Sequence, residues 1–196
     1  MVKTFKISLL GEGEVGKTSI INAFIKNQFN YDTLKTVGID SYIQKRVFDN
    51  LEYKFKIFDT AGQERYKSIC STTIQIADGF LMVFAVNDQK SFKKIVDWIA
   101  FIEEYVNLEE KVLFIIGNKI DVKPEEREVT KEEAEIFAKS KNAKYFETSA
   151  LSKEGIKDTF EEIFKDIHKK YQLDNNRKSN FNLERNNLEQ KKRKKC

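Results

Sequence analysis

The residues with the most chemical meaning lie in four short runs. The first, Gly11-Glu12-Gly13-Glu14-Val15-Gly16-Lys17-Thr18, fits the pattern G-x-x-x-x-G-K-[ST]. Its glycines let the backbone curl so that N–H groups face a polyphosphate, while Lys17 reaches the terminal phosphates and the Thr18 hydroxyl can face Mg²⁺. Gly13, Glu14, Val15, Gly16 and Ser19 are the neighbouring positions expected to line the phosphates. A helix starting there would aim its positive end at the same anion. In the second run, Asp59-Thr60-Ala61-Gly62-Gln63-Glu64, Asp59 can hold Mg²⁺ through water and the Gly62 N–H can meet a γ-phosphate. In the third, Asn118-Lys119-Ile120-Asp121, the Asp121 carboxylate can accept from both the ring N–H and the exocyclic amine of guanine. Adenine lacks that donor pair and would leave the carboxylate desolvated and unpaired. The fourth, Thr148-Ser149-Ala150, can supply backbone donors to the guanine oxygen. Together these residue types point to a guanine nucleotide held with Mg²⁺.

Chemistry of this kind needs strands that end at one common edge. Phe5 to Leu10 is a short apolar run that stops at a glycine, directly before the phosphate-binding run. Tyr53, Phe55 and Ile57 alternate with Lys54 and Lys56, a half-buried strand, and Asp49-Asn50 predicts a hairpin turn from a partner ending near Phe48. Gly79 to Val86 and Val112 to Ile116 are continuous apolar runs, as in central strands buried on both faces. Phe92, Ile95, Ile99, Ile102 and Val106 predict an amphipathic helix with Ser91 as N-cap; Trp98 lies off that stripe. Thr130 with Glu133 forms a capping box before another helix, a short strand follows at Tyr145-Phe146, and Ile156, Phe160, Ile163, Phe164 and Ile167 mark the last helix. Alternation of this kind implies an α/β fold, a mostly parallel sheet with helices on both faces. Ligands of such sheets sit in loops at the carboxyl ends of the strands, where all four runs fall.

The chain has 196 residues, enough for one compact domain with a remainder. The longest unbroken apolar run, Phe80 to Val86, is far short of the roughly twenty residues a membrane span needs. Met1 to Leu10 does not read as a secretory signal, so an intracellular protein is expected. Two cysteines, Cys70 and Cys196, exclude a disulfide framework, and no spacing suggests zinc. Cys70 is expected to be a small buried residue and His168 a solvated one. The formal net charge of +4 is unevenly distributed. Residues 172–196 hold eight basic and three acidic side chains, leaving residues 1–171 nearly neutral. The domain boundary is expected near Tyr171, and the tail, poor in apolar residues, is read as flexible.

These four motifs and a fifth, T-x-G-x-D at Thr36 to Asp40, in this order and spacing, resemble the small GTPases of the Ras superfamily, and within it the Rab family most closely, over roughly residues 3 to 171. The resemblance implies a P-loop small G domain with a six-stranded sheet and five helices. It identifies Thr36-Val37-Gly38-Ile39-Asp40 with the first switch, making Thr36 the threonine that closes on Mg²⁺, and Phe29 with the aromatic at the guanine edge. Asp59 to Tyr66 resembles the second switch, with Gln63 orienting the attacking water. Slow GTP hydrolysis to GDP is implied, accelerated by an activating protein that supplies an arginine, with an exchange factor, effectors and a prenyl-binding escort as further partners. A place on the cytosolic face of an endomembrane, and no nucleic-acid partner, are likewise implied. Cys196, directly after Lys-Lys-Arg-Lys-Lys, is a candidate lipidation site of unusual form, since Rab proteins commonly end in two cysteines. One lipid plus a polybasic patch anchors more firmly than either alone.

Several positions depart from the family. Glu14 stands where a small residue is usual, Leu151 replaces a lysine that packs on the base, and Ala85 replaces an aspartate. Ser41 stands for a phenylalanine, and Thr73-Ile74-Gln75-Ile76 for Tyr-Tyr-Arg-Gly. Partner choice therefore does not carry over. Three other functions are compatible with parts of the sequence. A nucleotide-holding scaffold that does not cycle predicts no phosphate release in a single turnover. A Ras-type signalling switch draws on Asp40-Ser41-Tyr42, against Gly38 and the basic tail, and an ATP-using enzyme predicts that Asp121→Asn leaves base preference unchanged.

Overall fold

The computed structural model describes residues 2–28, 38–60 and 67–193. Phe29, Thr36, Gly62, Gln63 and Cys196 lie outside the described residues. Six strands form one sheet: β1 (Thr4–Leu10), β2 (Ile39–Phe48), β3 (Leu51–Thr60), β4 (Gly79–Ala85), β5 (Val112–Asn118) and β6 (Lys144–Thr148), in the order β2-β3-β1-β4-β5-β6. All neighbours run parallel except β2 and β3, which are antiparallel from Ile39↔Thr60 to Phe48↔Leu51. Asp49 and Asn50 join them with φ of 51° and 62°, the double left-handed turn that matches the twist of a hairpin. Every residue of β4 and β5 is buried, as their unbroken apolar runs require.

Helices cover both faces. On one, α1 (Lys17–Lys26) and α6 (Ile156–Arg193) pack on β1 and β3, with Phe24 stacked on Phe160 at a 4.0 Å centroid distance. On the other lie α2 (Lys67–Ile76), α3 (Gln89–Lys93), α4 (Ile95–Glu103) and α5 (Lys131–Ser140). Ile156, Phe160, Ile163, Phe164 and Ile167 are all buried, as their spacing predicts, and so is Cys70.

Three local expectations are corrected. The stripe through Phe92 to Ile102 is buried, but the helix breaks at Lys94, so α3 and α4 stand where one helix is expected. Its N-cap is Asp88, whose Oδ1 accepts from the Lys90 and Ser91 N–H groups. Ser91 instead turns its hydroxyl inward, accepting from Ala85 N at 3.1 Å and donating to Asp88 O at 2.8 Å. Either residue satisfies the chemistry of a cap, and the contact with β4 decides between them. His168 is only 8% exposed, stacked on Phe48 and edge-on to Tyr53, because the β2–β3 hairpin roofs this part of α6. Past Tyr171, which packs on the core, α6 runs as far as Arg193. Residues 172–193 hold neither Pro nor Gly, and extending a formed helix avoids a new nucleation cost.

Candidate functional site

The phosphate loop is shaped by three backbone positions. Gly11 has φ of +139°, and a Cβ there would lie 2.1 Å from the Val83 carbonyl oxygen, so only glycine lets β1 turn this close to β4. Glu14 takes a left-handed φ of 66° with its side chain exposed. Gly16, with φ of +95°, precedes α1, and a Cβ on it would lie 2.4 Å from Asn118 Nδ2. No side chain caps α1 at Gly16. The first turn of α1 therefore aims its positive end at the space an anion would fill.

Lys17 is 5% exposed, and its Nζ donates to Gly11 O at 2.9 Å and Glu12 O at 2.7 Å. Burial lowers its pKa to about 8, with Asp59 foremost among the groups that oppose the shift. Two carbonyls are weak compensation for a buried ammonium, so Lys17 is poised to exchange them for a phosphate. Beside it, Thr18 Oγ1 donates to Asp59 Oδ2 at 2.7 Å. Asp59 is fully buried, and burial pushes its carboxyl above the usual range against the opposing pull of the Thr18 hydrogen bond and Lys17. Among the described residues its Oδ1 has no hydrogen-bond partner. A hydroxyl and a carboxylate with one uncompensated oxygen form a hard-oxygen donor set, and Mg²⁺ takes one or two such protein ligands while keeping several waters. The residues present fit that ion.

The base-side loops join the phosphate loop through Asn118 at the end of β5. Its Nδ2 donates to Val15 O at 2.8 Å, and its Oδ1 accepts from Thr148 Oγ1 at 3.1 Å and Ala150 N at 3.3 Å. Asn118 is thus mainly a tie among three loops, with one Nδ2 proton left for a ligand. Lys119 adopts a left-handed φ of 68°, which turns the chain toward Asp121. Buried Ser149 donates its hydroxyl to Asp121 Oδ1 and accepts from Ser152 N at 2.9 Å, so the exposed carboxylate is held in orientation. Ala150 is buried and Leu151 exposed in the same loop. The structure therefore brings Gly13 to Ser19, Asp59, Asn118, Lys119, Asp121, Ser149 and Ala150 together at the carboxyl edge of the sheet. Of the family departures, Thr73 is buried against β1, its hydroxyl 3.1 Å from that of Ser8, which withdraws it from the surface.

Two parts of the site escape a motif search. Gly155 has φ of +69°, and a Cβ there would lie 2.0 Å from Glu147 O; the glycine lets the loop after β6 fold back so that Ser149 N donates to Glu154 O at 3.0 Å. A turn glycine before the apolar spacing of α6 is its only sequence signal. Trp98, almost fully buried on α4, donates its indole N–H to Glu12 Oε1 at 3.0 Å. The expectation that Trp98 lies off the apolar stripe is corrected: three residues after Ile95 and four before Ile102, it is buried with them.

The family model described as Ras family matches residues 6–169. The chain is 33% identical to Ras-related protein Rab-18 of Caenorhabditis briggsae over 92% of its own length and 88% of that protein. It is 34% identical to GTP-binding protein ypt3 of Schizosaccharomyces pombe, covering 83% of this chain and 75% of that one. With Ras-related protein Rab-13 of Rattus norvegicus the identity is 36%, over 83% and 79% of the two chains. A loop with the P-loop pattern tied by Asn118 to a base motif, in a chain this similar to Rab proteins along most of its length, places it: it belongs to the Rab-type small GTPases of the Ras superfamily, the GTP-hydrolysing switches of membrane traffic.

Proposed function

We propose that this GTPase holds GTP and GDP through the loops at the carboxyl edge of its sheet and meets a membrane through its basic tail. The observation that carries the nucleotide site is the Asn118 tie, which couples Val15 of the phosphate loop to Ala150 of the base loop in one rigid unit. Gly13 to Ser19 would wrap the phosphates, with Lys17 leaving the Gly11 and Glu12 carbonyls for them. Asp121, oriented by Ser149, would accept from guanine, with Lys119 and Phe29 beside the base. Thr18, Asp59 and Thr36 would hold Mg²⁺, which when bound neutralises charge on the phosphates. Gln63 would orient the attacking water, and the Gly62 N–H would meet the γ-phosphate; these two roles and those of Thr36 and Phe29 rest on the motif resemblance. Hydrolysis by such a site is mostly positioning and charge stabilisation, so an isolated protein turns over slowly and an arginine from an activating protein accelerates it. Release of Thr36 and Gly62 on loss of phosphate would alter the surface read by effectors.

The tail, residues 172–196, would act as the tether. Five consecutive basic residues before Cys196 could contribute on the order of 5 kcal/mol near an anionic leaflet, and prenylation of Cys196 would supply the second signal that stable anchoring needs. An exchange factor, an activating protein, effectors and a prenyl-binding escort complete the cycle that the family membership implies. The test of the site is Asp121→Asn. Retained tight binding of GDP with lost preference over xanthosine diphosphate is not expected; a shift of preference toward xanthine is. Unchanged guanine preference would overturn the assignment of Asp121.

A further inference from the structure

Side chains from outside the phosphate loop hold it at Val15 and at Glu12: Asn118 holds Val15, and Trp98 holds Glu12. The second tie spans 86 residues of sequence and joins the loop to α4 on the far face of the sheet from α1. Trp98 is only 1% exposed, packed in the core with Ile95, Ile99 and Ile102 and set edge-on to Phe101 at 6.1 Å. Its indole therefore has little freedom, and its single N–H is aimed at the Glu12 carboxylate. The same residue, Glu12, accepts Lys17 Nζ on its main-chain carbonyl. The side chain and the carbonyl of one residue thus link the core of the protein to the ammonium that the proposed site delivers to the phosphates.

We infer that Trp98 and Glu12 are positioning residues for the phosphate loop: the core-held indole fixes Glu12, the Glu12 peptide fixes the resting place of Lys17, and the pair sets how long the protein retains its nucleotide. The inference rests on the nucleotide site proposed above. A hydrogen bond from a buried donor to a carboxylate is about twice as strong as a neutral one. Its loss frees the first peptide of the loop, whose glycines on either side offer no stiffness of their own. Lys17 and the loop N–H groups must then be ordered at the moment of binding, and retention falls.

The test is the dissociation rate of a fluorescent GDP analogue from the full chain with Mg²⁺ present. Tight retention by the wild type checks the underlying site independently of the inference. Trp98→Phe, which keeps an aromatic ring and removes the N–H, is expected to release the analogue about tenfold faster, the scale of one hydrogen bond to a charged group. Glu12→Ala should match it, Glu12→Gln, which keeps an acceptor, should restore most of the retention, and the double variant Trp98→Phe with Glu12→Ala should be no faster than either single one. Ile102→Val on the same helix removes packing without touching the tie, and should lower the unfolding midpoint while leaving dissociation unchanged. Should Trp98→Phe fail to fold, the Glu12 pair of variants carries the same comparison. Wild-type dissociation from Glu12→Ala, equal effects of Glu12→Ala and Glu12→Gln, or additive effects in the double variant would each overturn the inference.

Discussion

Asn118→Ala removes one side chain and strands two backbone groups in the interior. The Val15 carbonyl loses its 2.8 Å partner and the Ala150 N–H its 3.3 Å partner, in residues that are 1% and 4% exposed. A buried group left without a partner costs about 1–3 kcal/mol, so the pair gives about 2–6 kcal/mol. Against a total stability of about 5–15 kcal/mol this is a large fraction. Thr148→Val is the internal control. It deletes the 3.1 Å hydrogen bond to Asn118 Oδ1 but leaves Ala150 N on the same oxygen, so about 1 kcal/mol is expected. Urea unfolding of the GDP-loaded protein, followed by circular dichroism, measures both as shifts in midpoint at constant slope. The order Asn118→Ala far below Thr148→Val below wild type supports the loop tie. A loss of less than about 0.5 kcal/mol for Asn118→Ala, within the range of ordinary surface changes, would rule out the Asn118 tie, as would equal losses for the two variants.

Gly155→Ala places a Cβ against Glu147 O in a left-handed backbone and should cost about 3 kcal/mol or more; an unchanged thermal midpoint would contradict it. Lys17 titrates near pH 8 without nucleotide, and a bound phosphate raises its pKa. Binding is therefore strongest below pH 8, takes up a proton above it, and weakens as pH climbs further; calorimetry in buffers of different ionisation heats reads the uptake, and zero uptake at pH 9 would oppose this assignment. The full chain should bind phosphatidylserine vesicles at low salt and release at high salt through Lys191 to Lys195. Protein from its native cell should keep a salt-resistant fraction that Cys196→Ser abolishes, and mass spectrometry of an unmodified Cys196 would exclude the lipid.

Much of the architecture is written in local patterns. The period of Tyr53, Phe55 and Ile57, the solid apolar runs of β4 and β5, the Asp49-Asn50 turn and the stripe of α6 each follow from burial within one element, and all reappear in the folded chain. The phosphate and base motifs are legible for the same reason, since their function depends on residues close in sequence. Asn118 was legible as a site residue, but its main task was not: the bonds that occupy it come from Val15, Thr148 and Ala150.

Helix caps show where local information stops. Asp88 and Ser91 are both competent N-caps, and the choice between them depends on Ala85 N, which draws the Ser91 hydroxyl inward. His168 offers a polar side chain on a helix, and only the arrival of Phe48 and Tyr53 from the hairpin buries it. The sequence by itself determined the class of fold, the order of its elements and the nucleotide motifs, because periodicity and motif spacing are properties of neighbouring residues. Tertiary structure alone decided which groups meet across the sheet: Trp98 with Glu12, Asn118 with Val15, Gly155 under Glu147. Those contacts depend on how whole elements pack, a global fit that no local window contains.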